Sequence, residues 1–238
     1  MWSELRSTFE RVSAEPGVRV VVLSSSLDKT WTVGLDLTAQ TALVAPAPDP
    51  ARKAFQLRDH LLDFQDAISS IQRCKQPVIA AIHGNAVGLA IDISSACDVR
   101  LAASDVTFGI FEVNVGLAAD IGTLQRLPKI AGNESLVREL ALTGRKFGAD
   151  EAKSLGFVSE VVQGGRKEVL GKALDMAGVI AAKSPVAVVG TKHLLNRGLG
   201  IYGGVERDTS IAMKATLAKT RPSFPPLERY DGPSKAKL

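Results

Sequence analysis

The chain has 238 residues, is 45% hydrophobic, and sets 29 Lys and Arg against 25 Asp and Glu for a formal charge of +4. That length and apolar content suit one globular domain with a sizeable core, and the absence of any charge-rich block excludes disorder over most of the chain. The basic excess is slight and scattered, which suits an anionic small molecule as readily as nucleic acid and selects neither.

Helical and strand signals alternate along the chain, the mark of an α/β arrangement. Trp2 to Ala14 carries Leu5, Phe9 and Val12 on one helical face and stops at Pro16-Gly17, so it reads as an amphipathic helix rather than a signal peptide. Val18 to Ser24 is a β-branched run, apolar on both faces, as a buried parallel strand would be. A second short extended run, TWTVGLDL, is broken by Gly34, and the Ala- and Pro-rich stretch TALVAPAPDP leads into a long helix from Ala51 to Arg73. Pro77 to His83 is another buried strand; GNAVGLAIDISSACD follows as a glycine turn feeding a helix, and DVRLAASD returns as a strand. From Asp120 the chain is mainly helical, with one short strand in VSEVV and three further helices ending near Lys219. No run is long enough to span a bilayer, so no membrane partner is expected. Cys74 and Cys97 are too few for a disulfide framework and have no metal-ligand spacing with His60, His83 or His193, which points to a reducing compartment and no bound metal.

Two places could support chemistry through the backbone. In HGNAVGLAID a strand ends at His83-Gly84 and a helix begins near Gly88, aiming free N–H groups at whatever lies beyond the strand, a geometry suited to an oxyanion. Gly34-Leu35-Asp36 is a second glycine turn after a strand, and two such turns can supply two donors to one oxygen. Glycine turns between strand and helix are common, so the structural reading of each stays open. No GxGxxG or GxxxxGK[ST] is present, which leaves nucleotide binding of those kinds unsupported.

Acidic residues follow these turns. Asp92 sits in AIDISSA, Glu112 between Phe111 and Val113, and Asp120 at the end of the apolar stretch GLAAD. Carboxylates with apolar neighbours have raised pKa values and exchange protons near neutrality. Each also has a plain alternative: Asp120 as a helix N-cap before IGTLQRL, Asp92 as a surface helix residue, Glu112 as a strand-edge residue.

These segments, with CKQPVIAAIHGNAVGLAIDISSACDVRLAASD, FEVNVGLAADIGTLQRLPKIAGN, ADEAKSLGFVSEVV and KSPVAVVGTKHLL, resemble the crotonase (enoyl-CoA hydratase/isomerase) superfamily, from the first helix to about Lys219. The resemblance is strongest to its Δ3,5-Δ2,4-dienoyl-CoA isomerase branch, because Asp92, Glu112 and Asp120 match that branch's Asp, Glu and Asp, whereas hydratase-like members carry two glutamates. It implies an α/β fold, a spiral of ββα turns, with C-terminal helices used for trimerisation. The implied organisation is a spiral core over residues 1–165, a helical oligomerisation region over 166–220, and a tail over 221–238. Family members open with a strand and an Arg-Pro, Asn-Ala turn before the helix matched here by Trp2 to Ala14, so a spiral lacking its first N-terminal strand is expected.

The resemblance also assigns roles. The N–H groups of Leu35 and Leu89 would hold a thioester enolate oxygen, Glu112 would take the proton from carbon two, Asp120 would handle carbon six, and Asp92 would tune Glu112. Gly34, Leu35, Asp36, Leu37 and Gly88, with Phe111 and Leu117, would line the substrate, and Phe108 and Val115 would help exclude water. The family's usual Gly-Gly-Gly is replaced by Gly88-Leu89-Ala90, which places a leucine side chain beside the donor. No cofactor is implied, because CoA is part of the substrate; the implied partners are an acyl-CoA thioester and further copies of the chain, as a homotrimer or homohexamer. Other readings are enoyl-CoA hydration, another crotonase reaction, a catalytically impaired CoA-binding paralogue, and RNA binding, for which no aromatic-basic interleaving speaks. Finally, Ala236-Lys237-Leu238 is a close variant of the tripeptide read by the peroxisomal import receptor, following the Pro-rich RPSFPPLERYDGPSK, and predicts a peroxisomal protein.

Overall fold

The computed structural model describes residues 2–35 and 49–198. Its strands fall into two sheets. One has the order β1 (Val21–Leu23), β3 (Val78–Ile82), β5 (Val99–Ala103), β8 (Glu160–Val162), all parallel; the other has the order β2 (Thr30–Thr32), β4 (Asn85–Val87), β6 (Thr107–Gly109), β7 (Lys146–Gly148), parallel except for β6 with β7. The chain lays one strand in the first sheet, turns, lays the next in the second sheet, and returns through a helix. Thus β1 and β2 precede α2 (Pro50–Arg73), β3 and β4 precede α3 (Leu89–Ser95), and β5 and β6 precede a 3-10 turn (Glu112–Val115) with α4 (Thr123–Ile130) and α5 (Glu134–Thr143). This is the ββα spiral expected from the sequence.

Alternation along the buried strands decides what each face of the first sheet touches. Val78, Ala80 and Ile82 join Ala102 in the main core, whereas Ile79 and Ala81 join Leu101 and Ala103 on the opposite face, against Val169 and Ala173 of α7 (Arg166–Ala181). The register agrees, with Ala81 beside Leu101 and Ile82 beside Ala102. A sheet covered on both faces needs the nearly continuous apolar runs that the sequence shows. In the second sheet Phe108 is fully buried and lies 5.3 Å from the Phe147 ring and 5.4 Å from that of Phe157.

The turn between β3 and β4 requires glycine: Gly84 has φ +54°, and a Cβ there would collide with the Lys29 carbonyl. At the amino end, α1 (Trp2–Ala14) packs along α2, with Trp2 stacked on Phe64 at 4.5 Å and Arg6 paired to Asp63 at 2.7 Å. The expected strand over Val18–Ser24 shrinks to Val21–Leu23, the residues that find partners on β3. The three-residue strands β4, β6 and β7 went unrecognised in the sequence, because so short a run shows no periodicity.

After α6 (Ala149–Leu155) and α7, α8 (Pro185–Gly198) is fixed by a buried lysine. Lys192, 6% exposed, pairs with Asp98 at 2.7 Å and donates to the Gln76 carbonyl at 3.0 Å, while Asp98 also accepts the Val78 N–H at 2.7 Å. Removing one partner of a buried pair strands the other charge. Lys192→Met is therefore expected to lower unfolding free energy by roughly 3 kcal/mol in urea titrations; a loss well under 1 kcal/mol would show that α8 is held otherwise.

Candidate active site

The site grows from the carboxyl edge of the second sheet. Because β2, β4 and β6 are parallel neighbours, the segments that leave them emerge side by side. After β2 comes Gly34, with φ +100°; after β4 comes Gly88, with φ +59°. The two turns touch: a methyl group on Gly34 would stand 3.6 Å from the Leu89 nitrogen and 3.7 Å from the Val87 carbonyl oxygen. Leu89 opens α3, so its N–H is one of those a helix leaves without an internal acceptor. Both glycines permit backbone conformations that a side chain would strain, and both leave room for a bound atom. The Leu89 side chain turns into the main core and is 5% exposed, as is Ala90 at 1%, so the two residues in place of glycine fill protein rather than the space between the turns.

Glu112 follows β6 and comes to the same place. A methyl on Gly88 would lie 3.6 Å from Glu112 Oε1 and 3.8 Å from the Gly34 Cα. The Gly88 N–H donates to the Gly109 carbonyl at 2.9 Å, locking the exit of β6 against the second turn. Glu112 Oε2 is buried with no hydrogen-bond partner among the described residues. Burial pushes the Glu112 carboxyl above the ordinary glutamate range, its own backbone N–H draws it down, and the nearby charge of Asp120 raises it again. A carboxylate raised in this way is suited to accept a proton from carbon.

Asp92 is 1% exposed on α3. Its Oδ1 accepts the Thr123 backbone N–H at 2.7 Å and the Thr123 hydroxyl at 2.8 Å. Burial pushes its carboxyl up to about 7; the Thr123 bonds and Arg126 oppose the shift and the charge of Glu112 adds to it. Asp92 is thus not a surface helix residue, and it does what Asp120 was weighed for. Helix α4 starts at Thr123, with Gly122 in the cap position and no side-chain bond of its own, so the cap is supplied by Asp92 from 31 residues away.

Asp120 lies outside α4, exposed, in the turn that GLAAD forms after the 3-10 helix. Its main-chain carbonyl accepts from Gln65 Nε2 at 2.6 Å. The Asp120 charge contributes to raising the Glu112 carboxyl, and the Glu112 charge to raising that of Asp92. Among the described residues no three His, Cys, Asp or Glu side chains converge to ligate a metal.

The lining differs in part from expectation. Phe108 does not face the site: its place on β6 sends it into the core between Phe147 and Phe157. The Phe111 ring folds back over Gly109, and Val115 and Leu117 are 55% and 54% exposed. Gly34 is placed as described and Leu35 follows it, partly buried against the main core, while Asp36, Leu37 and Ala236-Lys237-Leu238 lie outside the described residues. A separate cleft of about 960 Å3 opens between α2, α4 and α8, and none of the three carboxylates lines it. Sequence reasoning overlooked Thr123 and Gln65; the row Gln65, Ser69, Gln72 at helical spacing among Phe64, Ala67, Ile68 and Ile71 was a visible signal of a polar stripe on a packed face.

A family model described as enoyl-CoA hydratase/isomerase matches residues 1–219. The chain is 46% identical to the human protein named Delta(3,5)-Delta(2,4)-dienoyl-CoA isomerase, mitochondrial, over 80% of this chain and 58% of that protein, and so spans little more than half of that relative's length. It is 36% identical to the peroxisomal protein of that name from Arabidopsis thaliana, over 93% of this chain and 84% of the relative. Among solved structures, an enoyl-CoA hydratase from Bacillus anthracis superposes with a TM-score of 0.73 at 30% identity, covering 90% of this chain and 77% of that one. An enoyl-CoA hydratase/carnithine racemase from Magnetospirillum magneticum gives a TM-score of 0.77 at 26% identity, covering 94% and 85%.

The raised Asp92 carboxyl makes stability depend on pH. With its folded pKa near 7 against an ordinary 3.8, the protonated form is favoured by folding. The stability tied to that proton is complete below about pH 4 and is lost as pH rises through about 7. Asp92→Asn keeps an acceptor oxygen for Thr123 and cannot ionise. Its stability relative to wild type should rise by a few kcal/mol between pH 4 and pH 8, measured by urea denaturation at each pH; a difference independent of pH would show that Asp92 is not held protonated by its burial.

Proposed function

The chain belongs to the enoyl-CoA hydratase/isomerase family, and from that premise we propose that the protein converts 3,5-dienoyl-CoA to 2,4-dienoyl-CoA. The observation that carries this reading is Glu112, whose buried, unpartnered carboxyl stands against the two facing glycine turns, with Asp120 a few residues on in the turn that follows the same 3-10 helix. Moving a conjugated diene along an acyl chain removes a proton from carbon two and adds one at carbon six. One carboxyl cannot easily serve both ends.

In this mechanism the thioester oxygen sits between the Leu35 and Leu89 N–H groups, where negative charge develops as Glu112 takes the carbon-two proton. The charge delocalises through the dienolate, and the Asp120 carboxyl is the group that passes a proton to carbon six. Glu112 ends protonated and Asp120 ionised, and exchange with solvent restores both. Asp92, its carboxyl raised to about 7 by burial, puts less negative charge beside the enolate than an ordinary aspartate would, and holds α4 in place. Phe111, Val115 and Leu117 supply an apolar mouth that limits water, favouring isomerisation over hydration. No cofactor beyond the CoA of the substrate takes part. The names of the human and Arabidopsis relatives agree with this reaction.

Assembly into a trimer or a hexamer is part of the same reading. So is a peroxisomal location, through recognition of Ala236-Lys237-Leu238 by the import receptor. The Arabidopsis relative is named peroxisomal and the human one mitochondrial, so the terminal tripeptide is what favours the peroxisome.

Purified protein given a 3,5-dienoyl-CoA should form conjugated 2,4-dienoyl-CoA, followed by absorbance. Glu112→Gln and Asp120→Asn should each lower kcat roughly a hundredfold or more. Asp120→Asn should leave CoA affinity nearly unchanged. No product from the folded protein, or hydration of 2-enoyl-CoA in its place, would contradict the reading. A fluorescent fusion should move from peroxisomal puncta to cytosol when the last three residues are deleted; persistent puncta would refute that address.

A further inference from the structure

A base and an acid that work at opposite ends of one conjugated system must keep a fixed separation, yet Asp120 sits on an exposed turn. Gly116, Leu117 and Ala118 are exposed with it, and of this stretch only Ala119 is buried. What holds the turn comes from two helices that flank it. From α3, Asp92 takes the Thr123 N–H and hydroxyl, and Thr123 is fully buried. From α2, a polar row at helical spacing faces the same segment. Arg126 Nη2 donates to Ser69 Oγ at 2.8 Å, Arg126 Nε to Gln72 Oε1 at 3.3 Å, and Gln65 Nε2 to the Asp120 carbonyl at 2.6 Å. The α2 helix is well placed for this duty, because Phe64, Ala67, Ile68 and Ile71 fix its inner face in the core.

Of these bonds, the one from Gln65 alone reaches the main chain of Asp120 itself. We propose that Gln65 is a positioning residue for the isomerisation: its amide, by holding the Asp120 carbonyl, fixes where the Asp120 carboxyl stands relative to Glu112. The inference rests on reading Asp120 as the carbon-six acid, and it adds a residue outside the three carboxylates. A single neutral hydrogen bond to an exposed turn contributes little to global stability, about 1 kcal/mol. Its effect on rate is larger, because a displacement of about 1 Å at a reacting group costs on the order of a hundredfold. Gln65 makes its hydrogen bond to Asp120 and to neither glycine turn among the described residues, so the thioester oxygen and the proton transfer at carbon two are not tied to its amide.

The test separates the two proton transfers. Wild type and Gln65→Met, which keeps side-chain length and removes the donor, are incubated with 3,5-dienoyl-CoA in heavy water. Deuterium at carbon two of recovered substrate reports the Glu112 step, and formation of 2,4-dienoyl-CoA reports completion through Asp120. Gln65→Met is expected to lower isomerisation kcat ten- to a hundredfold, with KM and carbon-two exchange within threefold of wild type; Gln65→Ala should behave alike. Unchanged isomerisation would overturn the positioning role, as would a parallel fall in exchange and isomerisation or loss of the helical circular-dichroism signal in both variants, since the role would then be structural. Wild-type protein that neither exchanges nor isomerises would overturn the dienoyl-CoA reading, and this inference with it.

Discussion

Parallel pairing of β2, β4 and β6 is the constraint on which the site depends. Because the three strands run in one direction, whatever leaves each of them emerges at one edge of the second sheet. In this chain those exits are Gly34-Leu35, Gly88-Leu89 and Glu112: two glycine turns and a carboxylate, contributed from three turns of the spiral. The residues are far apart in sequence and need no long-range coincidence to meet, since each turn of a ββα spiral repeats the placement of the one before. The first sheet does the complementary work, buried on both faces between the main core and α7, so that the strands behind the site are fixed.

Asp92 carries a cost that this arrangement requires. A carboxyl with 1% exposure would be unwelcome in an apolar helix unless it were bonded or its charge reduced, and here both hold: Thr123 supplies two donors, and burial lifts its pKa to about 7. In return, α4 begins at a defined point without a capping side chain of its own. The loop from Glu112 to Gly122 is then anchored at one end by β6 and at the other by Asp92, with Gln65 holding it at Asp120. Rigid elements thereby support a short irregular stretch that bears two titratable groups.

Much of this was legible in the sequence. The β-branched run at Pro77 to His83, the helix from Trp2 to Ala14, and the paired glycine turns appear where their residues predicted, because strong periodicity and glycine punctuation survive tertiary context. The short strands β4, β6 and β7 were not legible, since three residues bounded by glycine or a turn show no period and form only because neighbours supply partners. Phe108 was misplaced for the same reason: without β6 there was no alternation to send it inward. Asp120 looked like the cap of α4 because proximity in sequence favoured it, while the actual cap comes from Asp92, a long-range bond that no local rule contains. The polar row on α2 was visible and went unread.

The central claim is that Glu112 and Asp120 act at different carbons of one substrate. Product formed in heavy water tests it most directly, by locating deuterium in the 2,4-dienoyl-CoA by mass spectrometry or NMR. The account predicts deuterium at carbon six with wild-type protein, and with Asp120→Asn a selective loss of carbon-six labelling while carbon-two exchange in recovered substrate continues. Carbon-six labelling that proceeds undiminished in Asp120→Asn, or a loss of both exchanges together, would contradict it.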